Sequence, residues 1–508
     1  MPVPVVCAPL SQLESDLTHV AVIGAGNAAL NAAIAAREAG ADVTVLERAP
    51  HALRGGNTRF TAGAMRTVYS GVDDLKRLMP DLSADEVERV DFGSYSRERF
   101  YDDLGRVTQY RTDPELAERL IDSSFETLCW MRDKGVRFLP LYGRQSFEVG
   151  GKVRFWGGVT VEAWGGGPGL VDSLGAIADE AGVDVRFGAR ATALDRTADG
   201  FDVRVGNGSE ANTLAADAVV LACGGFEANP AWRARYLGPG WDLAKVRGSR
   251  FNTGDGIRMA VAIGAATRGN YSGCHAVGWD LNAPEFGDLD VGDNFQKHSY
   301  PLGIMVNTDG RRFVDEGADF RNYTYARYGG EVLRQPGQCA WQIFDAKVSP
   351  LLRDEYRIGR VTKATADSLD ALATRIATME TMNAPELVAE IERFNAAVDT
   401  GTPFDPTVRD GRGTRGLEVP KSNWANRLDT PPFEAYGVTC GITFTFGGLA
   451  VDAEARVLGE DGEPIPGLFA AGELVGGLYY FNYPGGTGLT SGAVFGRQAG
   501  TNAARGRG

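Results

Sequence analysis

The chain of 508 residues is too long for one simple core, so its length predicts two intertwined domains. A composition of 43% hydrophobic and 23% charged residues is that of an ordinary globular protein. Sixty-six acidic residues against 52 basic ones give a net charge of −14, which argues against non-specific binding to nucleic acid or to anionic membranes. The longest apolar stretches are too short to span a bilayer and the N-terminus has no leader pattern, so we expect a cytoplasmic protein with no direct membrane span.

The six cysteines are scattered along the chain. They form no C-x-x-C pair, iron–sulfur run or C-x-x-C-H haem motif, and isolated cysteines are most often small buried residues. The sequence therefore predicts no metal site and no electron carrier of its own besides an organic cofactor.

The segment VAVIGAGNAALNAAIAAREAGADVTVLERA, residues 20–49, predicts a βαβ unit that holds a dinucleotide. Gly24 permits the tight strand-to-helix turn, Gly26 lets the backbone approach a pyrophosphate, and small Ala29 occupies the third glycine position. The helix N-terminus directs its free N–H groups at the anion. Glu47 ends the second strand, where a carboxylate accepts hydrogen bonds from the adenosine ribose. This motif does not distinguish NAD from FAD.

A glycine- and hydroxyl-rich loop, RGGNTRFTAGAMR at 54–66, follows where an NAD-binding domain would continue into another regular element. Such a loop can lie against a flat ring and a second set of phosphate and ribityl oxygens, although the same residue types are common in surface loops. The positions that it would offer to a flavin are Gly55, Gly56, Asn57, Thr58, Thr61, Ala62, Gly63 and Ala64.

The pattern then changes several times along the chain. Residues 72–135 are polar and helix-prone, and residues 183–222 are typical of strands. Residues 251–266 predict a loop that leads into a helix. The region 270–438 has irregular, aromatic-rich loops and an amphipathic helix near 385–399.

Residues 467–500 again place a strand, the tetrapeptide Ala-Ala-Gly-Glu and a glycine-rich start of a helix. The N-terminus of that helix, near Gly488-Leu489-Thr490, could face the N1–C2=O edge of a reduced flavin and stabilise its charge. Glu473 is then a candidate for binding the ribityl chain. A packing helix capped by glycines would explain the glycines but not the Gly-Glu at the strand end, so this segment favours FAD.

The order of elements fits a nucleotide-binding domain that is interrupted by a second domain. The predicted divisions are a tail at 1–17, the nucleotide-binding domain at 18–269 and 439–508, and a capping, substrate-binding domain at 270–438.

Six segments resemble the fumarate reductase/succinate dehydrogenase flavoprotein family: VIGAGNAALNAAIAAREAGADVTVLERA, GGNTRFTAGAM, VVLACGGFEAN, TGDGIRMA, GRRFVDE and IPGLFAAGE. RGGNTRFTAGAMR, GADFRNYTYARYG, GITFTFGGLAVD and FNYPGGTGLTSGAVFGR resemble the tricarballylate dehydrogenases in particular. The resemblance implies an α/β fold, with a Rossmann-like FAD-binding domain of glutathione-reductase type and an inserted α+β capping domain. Further positions assigned to the cofactor site are Ala28, Arg48, Ala191, Gly224, Asp255 and Gly472.

The family makes or removes a C=C bond next to a carboxylate, and tricarballylate oxidation is the leading example by resemblance. Hydride moves between carbon and flavin N5, while an arginine linked to solvent through a glutamate and another arginine moves the proton. In GRRFVDEGADFRNYTYARYGG, residues 310–330, Glu316 matches the relay glutamate and Arg321 is the nearest match to the arginine that follows it. The loop that follows Arg321 is longer than in the family, so Arg327 is the alternative candidate for the proton-transfer arginine.

The four histidines have unequal claims to a functional role. By the resemblance, His275 falls close to the histidine that binds the substrate carboxylate, and His298 lies in the expected cap. Either could instead be a satisfied structural residue. His19 and His51 are expected to be incidental.

Three positions depart from the family pattern. Phe444 stands where the second substrate histidine is found, and Tyr483 stands where the carboxylate-clamping arginine is found, which weakens the case for plain succinate or fumarate. The Tyr-Pro-Gly-Gly at Tyr483 also resembles the 3-ketosteroid dehydrogenases, in which a tyrosine helps to polarise a carbonyl. Asn57 replaces the histidine that tethers FAD in some relatives, so we expect noncovalent FAD.

Three alternatives stay open at this point. A desaturase or reductase of an enone, ketosteroid-like or specialised-metabolite substrate would show an apolar cleft without convergent arginines. An NAD-dependent Rossmann dehydrogenase would contain no flavin, and a flavin-holding electron-transfer or assembly protein would have no substrate pocket. For the leading interpretation we expect a small carboxylated substrate and a separate electron acceptor, either an iron–sulfur or haem protein or oxygen.

Overall fold

The computed structural model describes residues 17–206 and 211–506, so the predicted tail lies, except for its last residue, outside the described residues. The helices of these ranges are α1 (Asn27–Glu38), α2 (Val72–Leu78), α3 (Ala84–Arg89), α4 (Arg97–Val107), α5 (Pro114–Lys134), α6 (Tyr142–Gln145), α7 (Gly166–Glu180), α8 (Pro230–Trp232), α9 (Asp255–Ala262), α10 (Tyr325–Leu333), α11 (Leu369–Met379), α12 (Ala384–Ala397) and α13 (Thr487–Ala504). Helices α2 to α5 fill the predicted helix-prone region, α12 is the amphipathic helix, and α13 is the C-terminal one.

The strands of the same ranges are β1 (His19–Ile23), β2 (Asp42–Glu47), β3 (Ala64–Met65), β4 (Val90–Asp91), β5 (Phe138–Pro140), β6 (Ser146–Val149), β7 (Lys152–Phe155), β8 (Val161–Ala163), β9 (Asp184–Phe187), β10 (Ala191–Arg196), β11 (Phe201–Val205), β12 (Asn212–Ala216), β13 (Ala218–Leu221), β14 (Lys245–Val246), β15 (Thr267–Asp280), β16 (Ile304–Asn307), β17 (Ala340–Phe344), β18 (Lys363–Ala366), β19 (Phe433–Leu449), β20 (Arg456–Leu458) and β21 (Pro464–Ala470).

The first large sheet is a doubly wound nucleotide-binding sheet with the strand order β20-β21-β13-β1-β2-β9. Strands β21, β13, β1, β2 and β9 are parallel, and β20 is an antiparallel edge strand. Strands β1 and β13 are almost wholly buried, as expected when helices cover both faces of a parallel sheet. The predicted α/β fold and the first βαβ unit are therefore confirmed. Strands β10, β11 and β12 form a separate antiparallel meander.

Helices α1 and α13 pack closely because α13 has glycines, which carry no side chain, where it meets the backbone of α1. A Cβ atom at Gly496 would lie 2.4 Å from the carbonyl oxygen of Ala28, and one at Gly500 would lie 2.0 Å from that of Ala32. No real Cβ tolerates such distances. The small residues of the last helix thus bring the C-terminus against the dinucleotide-binding unit.

The second large sheet is built around the long strand β19. Strand β19 pairs with β14, β15, β17 and β18, and β16 pairs with β17. Helix α10 packs on β15, while α11 and α12 cover the outer part of the sheet. The predicted domain boundaries at 270 and 438 fall inside β15 and β19, two strands that run on from the capping region towards the nucleotide-binding sheet.

None of the helices in the described part of the chain combines the length and the hydropathy that crossing a bilayer requires.

Candidate active site

A cleft of about 1800 Å³, including its open mouth, runs from the nucleotide-binding sheet to the second sheet. It starts at the carboxyl ends of β1, β2 and β13, where Ile23, Glu47 and Ala222 line it. Ligands of open α/β sheets bind at this edge. The cleft ends between the second sheet and the segment around Arg321. Its two ends are lined by different kinds of residue and are described separately below.

The first end fits a pyrophosphate and a ribose. Gly24 has a φ of +111°, and a Cβ there would lie 2.5 Å from the carbonyl oxygen of Ala222. Helix α1 begins without a side-chain cap, which leaves N–H groups of its first turn available to an anion. The Glu47 carboxylate accepts hydrogen bonds from the N–H groups of Ala25 (2.9 Å) and Ala49 (2.7 Å). Each carboxylate oxygen has a further lone pair, which ribose hydroxyls would occupy.

Arg48 borders the same end of the cleft and is fixed by an ion pair. One of its guanidinium nitrogens lies 3.0 Å from Oδ2 of Asp255, which also pairs with Arg190 at 2.9 Å. Burial lowers the pKa of Arg48, and Asp255 opposes that effect. These residues close the cleft beside Ala191.

Asn57 ties the glycine-rich loop to the second sheet. Its Nδ2 donates to Oε1 of Glu227 and to the carbonyl oxygen of Thr443, both at 2.7 Å, and its Oδ1 accepts from the N–H of Ser249 at 2.8 Å. Thr58 accepts a hydrogen bond from the N–H of Asn27 at the start of α1. These hydrogen bonds hold the loop in the wall of the cleft, so it is not a surface loop.

Glu227, which is fully buried, and Glu473, which is half-buried and lines the cleft, form a carboxyl pair. Oε1 of Glu473 accepts from the N–H of Thr445 at 2.8 Å, and Oε1 of Glu227 accepts from Asn252 as well as from Asn57. Burial and the neighbouring Glu473 raise the pKa of Glu227 well above its usual value, so the pair holds a proton. The sequence analysis did not select Glu227, although it lies in the segment VVLACGGFEAN.

Most of the predicted cofactor positions line the cleft. They are Gly24, Gly26, Ala28, Glu47, Arg48, Gly56, Asn57, Thr58, Thr61, Ala62, Ala64, Ala191, Gly224, Asp255, Gly472, Glu473, Gly488 and Leu489.

Four predicted positions lie behind that surface instead. Ala29 is buried inside α1, and Thr490 donates its hydroxyl to the carbonyl oxygen of Arg66 at 2.9 Å. Gly55 and Gly63 have positive φ, and a Cβ on either would strike Val171 or Gly166. These four residues shape the backbone that lines the cleft.

Arg321 lies at the far end of the cleft and is bonded to His298. Its Nη1 is 3.0 Å from Nδ1 of His298, and its Nη2 donates to the carbonyl oxygen of Arg144 at 2.9 Å. Burial and the nearby Arg144 lower the pKa of Arg321. Burial and Arg321 lower the pKa of His298 far below its usual value, so His298 is neutral.

The expected relay from Glu316 to Arg321 is not formed. Glu316 is fully buried, accepts from the N–H of Met305 at 2.8 Å, and pairs at 2.5 Å with Arg312, which lies four residues earlier in the same loop. Arg327 lies on the outer face of α10, and its side chain is 60% exposed beside Glu331. Neither Glu316 nor Arg327 lines the cleft.

His275 also lies behind the cleft rather than in its lining. Its ring stacks on Phe444 with 5.1 Å between centroids and meets Tyr325 and Tyr483 edge-on, at 4.9 Å each. Both ring nitrogens are buried without a hydrogen-bond partner, and burial and Arg247 lower the pKa of His275 well below its usual value. A neutral histidine behind an aromatic wall is not placed to bind a carboxylate.

Tyr483 and Tyr325 line the cleft in front of His275, and their hydroxyls are hydrogen-bonded to each other. Burial raises the pKa of both hydroxyls, so both keep their protons. Tyr483 is among the predicted site residues, whereas Tyr325, in the segment GADFRNYTYARYG, is not.

Two arginines that the sequence analysis missed converge on this end of the cleft. Arg247 and Arg144 pair with the two oxygens of Asp293, at 2.5 and 2.7 Å. Burial would lower the pKa of Arg247, but Asp293 outweighs burial and raises it. With Arg321, on which the buried Glu355 acts without forming an ion pair, three guanidinium groups lie at this end of the cleft. No motif in the sequence marks Arg144 or Arg247.

The fold and the cleft define a flavoprotein oxidoreductase whose cofactor would lie between a dinucleotide-binding domain and a cap. The FAD binding domain family model matches residues 19–489. The chain is 30% identical over 97% of its length to a probable fumarate reductase, Ifc3, of Shewanella frigidimarina, and covers 75% of that protein. It is also 30% identical to 4-oxocyclohexanecarboxylate 2-dehydrogenase of Sinomonas cyclohexanicum, over 92% of this chain and 89% of that protein.

A comparison with solved structures also finds a fumarate reductase. The chain matches the open conformation of a flavocytochrome c3 fumarate reductase with a TM-score of 0.69 and 27% identity, over 98% of this chain and 81% of that one. The chain belongs to the FAD binding domain family, in the group that includes the fumarate reductases, and is an FAD-dependent oxidoreductase acting on CH–CH groups.

Proposed function

We propose that the protein forms or reduces a carbon–carbon double bond adjacent to the carboxylate of a small molecule, with tricarballylate as the leading candidate substrate. The observation that carries this proposal is the convergence of Arg144, Arg247 and Arg321 on one end of the cleft, where Asp293 pairs with Arg144 and Arg247 and leaves Arg321 without an ion pair among the described residues. An unbalanced positive charge in a buried site favours an anionic ligand.

Each side chain has a distinct task in this reaction. Arg247 and Arg144, held by Asp293, bind the carboxylate and stabilise the negative charge that grows on it. Arg321, whose pKa burial lowers, exchanges the proton with the carbon next to the carboxylate. FAD, when bound, would supply the hydride acceptor or donor. The residues that would hold FAD are those of the first end of the cleft, Asn57 and Glu473.

The FAD of this protein is proposed to be noncovalent. Asn57 has no nucleophilic ring nitrogen, and its amide is already engaged with Glu227, Thr443 and Ser249. Acid precipitation of the purified protein should release all of the yellow colour into the supernatant. Colour that stays in the protein pellet would contradict this.

We further propose a cytoplasmic protein that exchanges electrons with a separate iron–sulfur or haem protein, or with oxygen. The scattered cysteines of the sequence support a separate carrier. Stoichiometric iron in the isolated chain would overturn this part of the proposal.

A panel of possible substrates tests the reaction itself. Oxidised protein is mixed anaerobically with saturated di- and tricarboxylates, and photoreduced protein with their unsaturated counterparts. Bleaching by a saturated carboxylate, or recovery of the oxidised flavin spectrum with an unsaturated one, is the expected result. No spectral change with any carboxylate would point to a flavin-holding protein without substrate chemistry.

A second candidate is the reduction or desaturation of an enone. The hydroxyl pair of Tyr325 and Tyr483, set in an aromatic wall, favours it, because such hydroxyls can polarise a carbonyl. The convergent arginines argue against it. A flavin response to enones but not to carboxylates would make it the better description.

A further inference from the structure

A second cavity of about 400 Å³, including its open mouth, adjoins the cleft, and His298 and Arg321 line both. Trp156 stands in its wall, with its ring 6.2 Å from that of Phe147 and 5.6 Å from that of Phe320. The walls are mainly apolar and include Phe147, Trp156, Pro301, Phe320, Pro406 and Trp424. Such walls fit a flat or chain-like apolar group.

Two residues that line this cavity, Trp156 and His298, each carry a buried hydrogen-bond donor without an acceptor in the described part of the chain. The indole N–H of Trp156 is fully buried without a partner. Nδ1 of His298 faces a guanidinium that can only donate, so the ring proton must be on Nε2, which is also buried without a partner. Buried donors of native proteins are nearly always satisfied, so each of these needs an explanation.

Two cations of this cavity have no contact ion pair. Within residues 17–206 and 211–506, neither Arg321 nor Arg353 has a carboxylate oxygen within 4.0 Å, although the buried Glu355 acts from a greater distance to raise the pKa of both. The guanidinium of Arg353 donates to the carbonyl oxygens of Gly143 (3.2 Å) and Ser146 (3.0 Å) and stacks on the ring of Phe147 at 4.2 Å. Burial and Arg321 lower the pKa of Arg353 to about 10, while the more distant Glu355 opposes the shift.

We propose that this second cavity is a substrate subsite that binds an apolar group bearing a carboxylate. The carboxylate pairs with Arg353 and accepts from the indole N–H of Trp156, and the apolar body lies against Trp156 and Phe147. A carboxylate is the simplest group that answers both an unpaired guanidinium and an unused N–H donor. The proposal rests on the proposed function, since the bound group is the distal part of the substrate that reacts in the cleft.

Binding of two matched probes to the FAD-loaded protein tests this subsite. Benzoate carries the ring and the carboxylate, and benzyl alcohol keeps the ring without the charge. By isothermal titration calorimetry benzoate should bind and benzyl alcohol should bind far more weakly. Arg353→Gln should weaken benzoate binding by about tenfold to a hundredfold, the usual cost of a lost charge-assisted hydrogen bond.

Two further variants separate the subsite from general effects. Arg357→Gln is the matched control, because Arg357 lies outside both cavities and donates to the carbonyl oxygen of Ser349, so benzoate binding should be unchanged. Trp156→Phe keeps the ring, removes the N–H and should weaken benzoate binding several-fold. It also carries the test if Arg353→Gln fails to retain FAD.

Benzoate binding that is absent, that Arg353→Gln leaves unchanged, or that benzyl alcohol equals would overturn the subsite. This result is distinct from failure of the proposed function. If Arg353 and Trp156 govern benzoate binding while no carboxylate changes the flavin spectrum, the subsite stands and the reaction is wrong. If small carboxylates react and benzoate binding ignores both residues, the reaction stands and the subsite is wrong.

Discussion

Arg321 donates a hydrogen bond to Nδ1 of His298 across 3.0 Å, and both side chains are buried. The imidazole accepts this bond as a neutral base, so it fixes the guanidinium without adding a negative charge that would raise its pKa. Burial and the positive charge of Arg144 lower the pKa of Arg321. The pair therefore holds an arginine that is oriented and is easier to deprotonate than one in water.

Replacing Arg321 should remove the proton-transfer group. Arg321→Gln is expected to lower turnover by about 10² to 10⁴-fold, the range for loss of a general acid or base, while FAD stays bound. Stopped-flow reduction or reoxidation of the flavin measures the effect. Arg327→Gln is the matched control, because Arg327 is exposed on α10, and should react like the wild type. Near-normal turnover in Arg321→Gln would move the proton role to Tyr483.

Replacing Arg247 should weaken carboxylate binding more than chemistry. Arg247→Gln is expected to raise KM by about tenfold to a hundredfold with a smaller change in kcat, because a charge-assisted hydrogen bond is lost. Asp293 keeps its ion pair with Arg144 and its hydrogen bond from Gln296 in this variant. Steady-state kinetics at saturating electron acceptor separate the two constants. A large loss of kcat at unchanged KM would show that Arg247 takes part in the reaction step.

Glu47 should control the affinity for the dinucleotide. Glu47→Ala removes the acceptor for the N–H groups of Ala25 and Ala49 as well as for the ribose hydroxyls, so the protein should purify depleted of flavin. The ratio of flavin to protein absorbance measures occupancy. Asp172, which pairs with Arg54 on the surface, offers a control in Asp172→Ala, which should retain FAD. Full occupancy in Glu47→Ala would refute the ribose role.

Gly500 should tolerate no side chain. Gly500→Val places a branched side chain where even a Cβ meets the Ala32 carbonyl oxygen at 2.0 Å, so we expect a loss of about 1–3 kcal/mol or more in unfolding free energy. Chemical denaturation measures it. Gly175→Ala is the control, because a Cβ at Gly175 of α7 meets nothing within 4 Å, and alanine should stabilise that helix slightly. Equal stability of the two variants would contradict the packing described above.

Lys421 should make stability depend on alkaline pH. It is buried, donates to the carbonyl oxygen of Pro301 at 2.7 Å, and burial lowers its pKa to about 8 from an ordinary value of 10.5. Between pH 8 and 10.5 the unfolded chain holds this proton and the folded chain does not, so the unfolding free energy contributed by Lys421 rises with pH in that window. Below pH 8 the burial cost is present in full.

The Tm of the wild type relative to Lys421→Met should therefore increase as pH rises from 7 to 10. Other groups titrate in both proteins and cancel in the difference. A difference that stays constant across this range would show that the folded-state pKa of Lys421 is not lowered.

The sequence alone determined the FAD-binding half of this protein. Gly24, Gly26 and Glu47, the proposed contacts to the cofactor, are placed in the cleft by local backbone geometry and strand ends, and such requirements leave a fixed spacing in the chain. The loop around Asn57 and the start of α13 follow the same rule, since glycines and hydroxyls mark where backbone must approach a ligand. This explains why most of the predicted cofactor positions line the cleft.

Only the tertiary structure decided the substrate half. Arg144, Arg247 and Arg321 come from distant segments, and a guanidinium on a long side chain imposes no local pattern, so nothing in the sequence singled out the first two. Likewise Glu316 and His275 matched positions in the motif, yet packing assigns Glu316 to Arg312 and puts His275 behind Phe444. Which charges meet across a cleft depends on how the sheets and loops pack, and that information is spread over the whole chain.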